Sequence, residues 1–137
     1  MKMHFHVDGD AFETAGRASG KIKKTLRELG ISPDIIRKVS IAMYEAEINM
    51  VIHAYGGSID INISPERIYI VFEDNGPGIE DVEQAMQEGY STASKEAREM
   101  GFGAGMGLSN IKNNCDFLNI ISTPGVGTKL EMEVHLE

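Results

Sequence analysis

Several things are scarce in this sequence of 137 residues, and each scarcity closes a class of function. There is one cysteine, Cys115, so no internal disulfide can form, and a reducing cytoplasm suits the chain best. Basic residues number 13 against 21 acidic ones, a net charge of -8. That balance disfavours direct binding of nucleic acid or of an anionic membrane surface. It leaves room for protein partners and for anions held by backbone N–H groups. No apolar run approaches the ~18 residues that a bilayer span needs. The opening MKMHFHVDGD lacks the apolar centre of a signal peptide, so no leader is expected. Internal repeats, low-complexity tracts and linkers are also missing, which predicts a single domain over residues 1–137.

Residues 3–7 predict a short strand. Asp10 is placed to cap a helix over 11–29 that stops at Gly30, with Ile22, Leu26 and Leu29 as its apolar stripe. Gly16 and Gly20 weaken that helix. Ser32-Pro33 then offers an N-cap followed by proline in the first turn, opening a long helix to about Tyr55. Residues 58–63 and 67–73 predict strands joined through a turn at Pro65-Glu66. A short helix is expected near 81–88, a glycine-rich loop over 89–106, and a helix from Gly107 to Asn114. Two last strands, 116–122 and 128–135, flank Pro124-Gly-Val-Gly127. Strands come as adjacent pairs rather than alternating with helices. The expected class is therefore α+β, a two-layer sandwich with a mixed, mostly antiparallel sheet and helices on one face.

Three local patterns carry chemistry. On the long helix, Glu45, Asn49 and His53 stand at i, i+4 and i+8, one polar stripe on an otherwise apolar helix. A solvent stripe explains this as well as a pocket wall does. In a pocket, the carboxylate can take a proton from an attacking hydroxyl, and an amide oxygen can ligate Mg²⁺. Glu47 lies on another side and fits a solvent-facing carboxylate. Asp74 ends the apolar run Ile68–Phe72 and precedes Asn-Gly-Pro-Gly, which is either a surface turn or the rim of a cleft. Four glycines alternate at 101, 103, 105 and 107 immediately before a helical segment, an arrangement suited to anions. There is no Gly-Lys-Ser/Thr, and the spacing does not contain G-x-G-x-x-G, so the P-loop and Rossmann turns are excluded.

Glu45-x-x-x-Asn49, Asp74-x-Gly76-x-Gly78, Gly103-x-Gly105-x-Gly107 and Gly127-Thr128, in that order, resemble the Bergerat-fold (GHKL) ATPases. Within that superfamily, Ile52-His53-Ala54-Tyr55 and Gly89-Tyr-Ser-Thr92 are similar to the bacterial anti-sigma factor serine/threonine kinases. The resemblance implies ATP and Mg²⁺ as cofactors. It implies Glu45 as general base and Asn49 as the Mg²⁺ ligand. Asp74 would accept from the adenine amino group, helped by Thr128, with Gly76, Gly78 and Ile79 lining the base pocket. His53, Ser91 and Thr92 would lie near the nucleotide. Gly105, Met106, Gly107 and Leu108 would offer backbone N–H groups to the phosphates, with Gly101 and Gly103 as the hinge of a lid over the ATP site. Implied partners are a sigma factor and its antagonist, with the first strand and helix as a homodimer or partner surface. Anti-sigma kinases often carry an arginine where this chain has Gly103-Ala104. An ATP-gated binding module with little catalysis therefore stands as the alternative. A histidine-kinase-like catalytic domain ranks behind both, because no helical hairpin carries a phospho-accepting histidine. His4 and His6 share one strand face and are expected to be solvated rather than metal-bound, and Cys115 is expected at the core boundary.

Overall fold

The computed structural model describes residues 1–8, 16–52, 56–74, 107–123 and 125–136. The elements are β1 (Lys2–Asp8), α1 (Arg17–Glu28), α2 (Pro33–Ile52), β2 (Gly56–Ile63), β3 (Arg67–Glu73), α3 (Gly107–Asn113), β4 (Phe117–Thr123) and β5 (Gly127–His135). The strands form one sheet in the order β1-β2-β3-β5-β4. Every pairing in it is antiparallel. This is the expected α+β sandwich. The Asp10 cap, the end of the long helix at 53–55, the short helix near 81–88 and the loop 89–106 lie outside the described residues.

Alternation along the strands decides which face is covered. Ile59, Ile61 and Ile63 of β2 stand opposite Phe72, Ile70 and Ile68 of β3, which in turn stand opposite Leu130, Met132 and Val134 of β5. All nine are buried. Burying each such side chain contributes about 1.5–3 kcal/mol, so this ladder is the main reason the register cannot slip. The other face is polar. There Tyr69 donates its hydroxyl to Glu131 at 2.7 Å, a bond that raises the phenol pKa above its ordinary value. Arg67 pairs with Glu133 and lies over the Tyr69 ring at 5.3 Å. His4 and His6, both exposed, meet Asp60 at 2.6 Å and Asp8 at 3.1 Å.

The helices start and stop where local chemistry directs. α1 buries Ala18, Ile22 and Leu26 at helical spacing and leaves Lys21, Lys23, Lys24 and Arg27 exposed. It ends in a Schellman turn: Ile31 N–H donates to Leu26 at 3.1 Å and Gly30 N–H to Arg27 at 3.0 Å, with Gly30 at φ +75°. Ser32 then caps α2, its carbonyl accepting from Ile36 N–H at 3.0 Å. The hairpin at Pro65-Glu66 is closed by Ser64 N–H donating to Arg67 at 3.0 Å.

Two expectations are corrected. The first helix does not run unbroken through Gly16, which sits at φ +92° as the residue before α1. A β-carbon there would stand 2.8 Å from the Tyr44 ring, so glycine lets α1 approach α2. Glu47, read as solvent-facing, is only 3% exposed. Its carboxylate accepts the Ser19 N–H at 3.0 Å and the Ala18 N–H at 3.2 Å. It thereby caps the start of α1 from a different helix, satisfying donors that Gly16, without a side chain, leaves open.

Candidate functional site

The end of the sheet where β3 stops and β5 starts holds the first half of the site. Asp74 N–H donates to the Thr128 carbonyl at 3.0 Å, and Thr128 N–H donates back to Asp74 Oδ1 at 3.3 Å. The reciprocal pair fixes the carboxylate just beyond the last buried strand residue, Phe72. Thr128 Oγ1 lies 2.9 Å from Ser122 Oγ, its cross-strand partner on β4. Gly57 closes this end from the other side. A methyl group there would overlap the Glu73 carbonyl, come within 2.6 Å of Met50 Cε and reach 3.1 Å from Asp74 Cα. Only glycine admits the end of α2 so near the strand that carries Asp74.

The second half lies between α2 and α3. Glu45 and Asn49 are both half-buried on α2. α3 packs against α2 through Leu108 and Ile111, which belong to the core. Asn110, between them, donates its Nδ2 to Glu45 Oε1 at 3.3 Å. The helix that opens at Gly107 is thus held beside the carboxylate. Tyr44, next to Glu45, has its phenol pKa raised by burial and by the negative charges of Glu45 and Glu47.

Of the residues singled out in the sequence, the structure joins Asp74 to Thr128, and sets Glu45 against the helix carrying Gly107 and Leu108. Asn49 lies one residue before Met50, which reaches Gly57 and so connects the two halves. His53, Gly76, Gly78, Ile79, Ser91, Thr92, Gly103, Gly105 and Met106 lie outside the described residues. Sequence reasoning missed Asn110 and Ser122. Asn110 carries a weak signal, a polar residue wedged between the core positions Leu108 and Ile111. Ser122 becomes visible only once the β4–β5 register is known.

Glu45 and Asn49 thus stand one helical turn apart on α2, beside the helix that follows the alternating glycines in sequence, and Asp74 is fixed at a strand end. Residues 34–137 match the family model described as histidine kinase-, DNA gyrase B-, and HSP90-like ATPase. The chain belongs to that ATPase family. Among curated relatives, an anti-sigma F factor of Thermoanaerobacter sp. (strain X514) is 38% identical over 106 residues, covering 74% of this chain and 71% of its own. The anti-sigma F factor of Pasteuria penetrans is 37% identical over 148 residues, covering 100% and 91%. Among solved structures, the RsbU and RsbW domains of a Mycobacterium tuberculosis protein superpose with a TM-score of 0.66 at 16% identity. That superposition spans 98% of this chain and 31% of the other, and it shows the fold alone. For a member of this ATPase family, ATP binding is the implied property. No helix among the described residues is long and apolar enough to cross a membrane.

Proposed function

We propose that this protein is an ATP-binding anti-sigma regulator that transfers the γ-phosphoryl group of ATP to a serine or threonine of a protein antagonist. It controls a sigma factor by exchanging partners, in the cytoplasm. The observation that carries this reading is Glu45, half-buried on α2 and held beside the helix that follows the glycine box. The names of the anti-sigma F factor relatives supply the partner class.

The residues fit the cofactors. Asn49 offers a neutral amide oxygen, the hard donor type that Mg²⁺ takes while retaining waters. Asp74, hydrogen-bonded to Thr128, would accept from an exocyclic amine. In this reading Gly76, Gly78 and Ile79 would line the base, and Ser91, Thr92 and His53 would approach the nucleotide. Gly105, Met106, Gly107 and Leu108 would present backbone N–H groups to the phosphates, and Gly103 would hinge a lid over them. Mg²⁺, when bound, supplies positive charge over the phosphate oxygens. Glu45 accepts the proton of the attacking hydroxyl as the new O–P bond forms. The bond from the γ-phosphorus to the bridging oxygen breaks, and its electron pair leaves with ADP. Such transfer depends mainly on positioning and charge neutralisation.

The test uses labelled ATP, Mg²⁺ and a purified anti-sigma factor antagonist protein as acceptor. Wild type should label the antagonist and Glu45→Ala should not, although both bind ATP. Equal labelling by the two proteins removes Glu45 from its role, and no labelling by wild type removes the kinase. Gly103-Ala104, standing where related kinases often have arginine, favours a second reading: an ATP-gated binder with little catalysis. It requires partner affinity to differ between ATP and ADP even in Glu45→Ala.

A further inference from the structure

We propose that Asn110 is the positioning residue of the phosphotransfer base: it holds Glu45 in one rotamer and sets it in register with the start of α3. The inference rests on the reading of Glu45 as general base, and it adds a residue that the motif comparison does not include.

Asn110 Nδ2 donates to Glu45 Oε1 at 3.3 Å across 65 positions of sequence. A carboxylate only accepts, so the contact selects the amide nitrogen and turns the amide oxygen away. Glutamate has three rotatable side-chain bonds, and a half-buried face leaves several rotamers open to it. One bond to Oε1 selects among them, and proton acceptance falls to Oε2. Asn110 is itself constrained. Its neighbours Leu108 and Ile111 are buried, at 8% and 0% exposure, so α3 cannot rotate the amide away without drawing both from the core. Its own carbonyl accepts from Asn114 Nδ2 at 2.8 Å, and Asn114 N–H donates to Ile111 at 3.1 Å. The last turn of α3 is thereby closed.

The placement matters because Asn110 lies three residues after Gly107, where the glycine box passes into α3. Three helical residues span about 4.5 Å. A single rigid turn therefore connects the proposed phosphate contacts to the group that orients the base. As the hydroxyl proton passes to Oε2, the new O–P bond forms and the bond to ADP breaks. Both ends of that event are then referenced to one helix. A misplacement of 1 Å in such a geometry can cost on the order of 100-fold in rate. A bond that merely fastened α2 to α3 would have a different signature, since Leu108 and Ile111 already do that through apolar contact.

The experiment measures three quantities on the full chain: ATP affinity with a fluorescent ATP analogue, the thermal midpoint, and the single-turnover rate of labelled, Mg²⁺-bound ATP, with and without antagonist. Asn110→Leu removes the donor at similar volume. Asn110→Asp keeps the shape and sets an acceptor against the carboxylate. The expected result is a rate at saturating ATP lower by about tenfold in Asn110→Leu, and lower still in Asn110→Asp. ATP affinity should stay within about twofold of wild type. In a Glu45→Gln background, Asn110→Leu should cause no further loss. Side-chain amide NMR signals of Asn110 should move in Glu45→Ala, a readout independent of turnover. Wild-type rates in both variants, with an active wild type, overturn this inference and leave Glu45 as base. Affinity, midpoint and rate falling together also overturn it, because they mark a structural bond. A wild type that binds ATP and turns none over overturns the base reading and this inference with it.

Discussion

Glu45 and Glu47 are two residues apart on one helix and meet opposite surroundings. At 100° per residue they point about 200° apart around α2. Glu45 turns toward α3 and stays half-buried, with one amide donor 3.3 Å away. Glu47 turns toward α1, is sealed, and accepts two backbone N–H groups. A buried carboxylate is tolerated only when its charge is met, and the open end of α1 meets it with donors and a favourable dipole. The pair shows that a carboxylate on an apolar helix is read by what it faces and how completely it is satisfied. Full satisfaction makes a structural clamp. Partial satisfaction leaves lone pairs open, which the proposed role of Glu45 as base requires.

The comparison breaks most sharply with Glu45→Ala, which should lower phosphoryl transfer by about 10²- to 10⁴-fold while the thermal midpoint stays near wild type. Radiolabel transfer and a thermal melt, run side by side, check it. Glu47→Ala should do the reverse. It strands two buried N–H donors and should cost about 2–4 kcal/mol in urea unfolding, with turnover per folded molecule unchanged. A loss below about 0.5 kcal/mol would remove Glu47 from the clamp. Gly16→Ala attacks the same clamp through space, since its methyl meets the Tyr44 ring and its φ of +92° is unfavourable for alanine. About 1–3 kcal/mol should be lost, again without a change in turnover.

The smallest effect is a reporter just after α3, in its link to β4. Burial, with help from Asp116, pushes the Cys115 thiol up to about 11. The thiol therefore stays protonated through neutral pH, and alkylation should accelerate only as pH climbs toward that value. Unfolding returns the group to its ordinary value near 8.5, so Glu47→Ala should speed alkylation at pH 8 by raising the unfolded fraction. Glu45→Ala should leave that rate alone.

The legible part of this protein is the part written in neighbours. Ser32-Pro33 opens α2 and Gly30 ends α1 because capping uses groups within about five residues. Alternating isoleucines in β2 and β3 gave both strands, and the turn at Pro65-Glu66 joined them. The spacing of Glu45, Asn49, Asp74 and the glycines was enough to point to an ATP site. Glu47 was misread because helical periodicity reports which face a residue occupies, not what covers that face. From the sequence Gly16 reads as a weak interior helix residue, because only its closeness to Tyr44 shows why glycine is there.

By itself, the sequence determined the order of the described elements, the α+β class and the family, all of which depend on short-range periodicity or on linear motifs. The tertiary structure decided the pairing of Asp74 with Thr128, the capping of α1 by Glu47 and the meeting of Asn110 with Glu45. Those partners stand 54, 28 to 29 and 65 positions apart. Bringing such distant groups within about 3 Å requires the loops between them to close, and it is the burial of the shared core that offsets that entropy. No local pattern encodes that outcome.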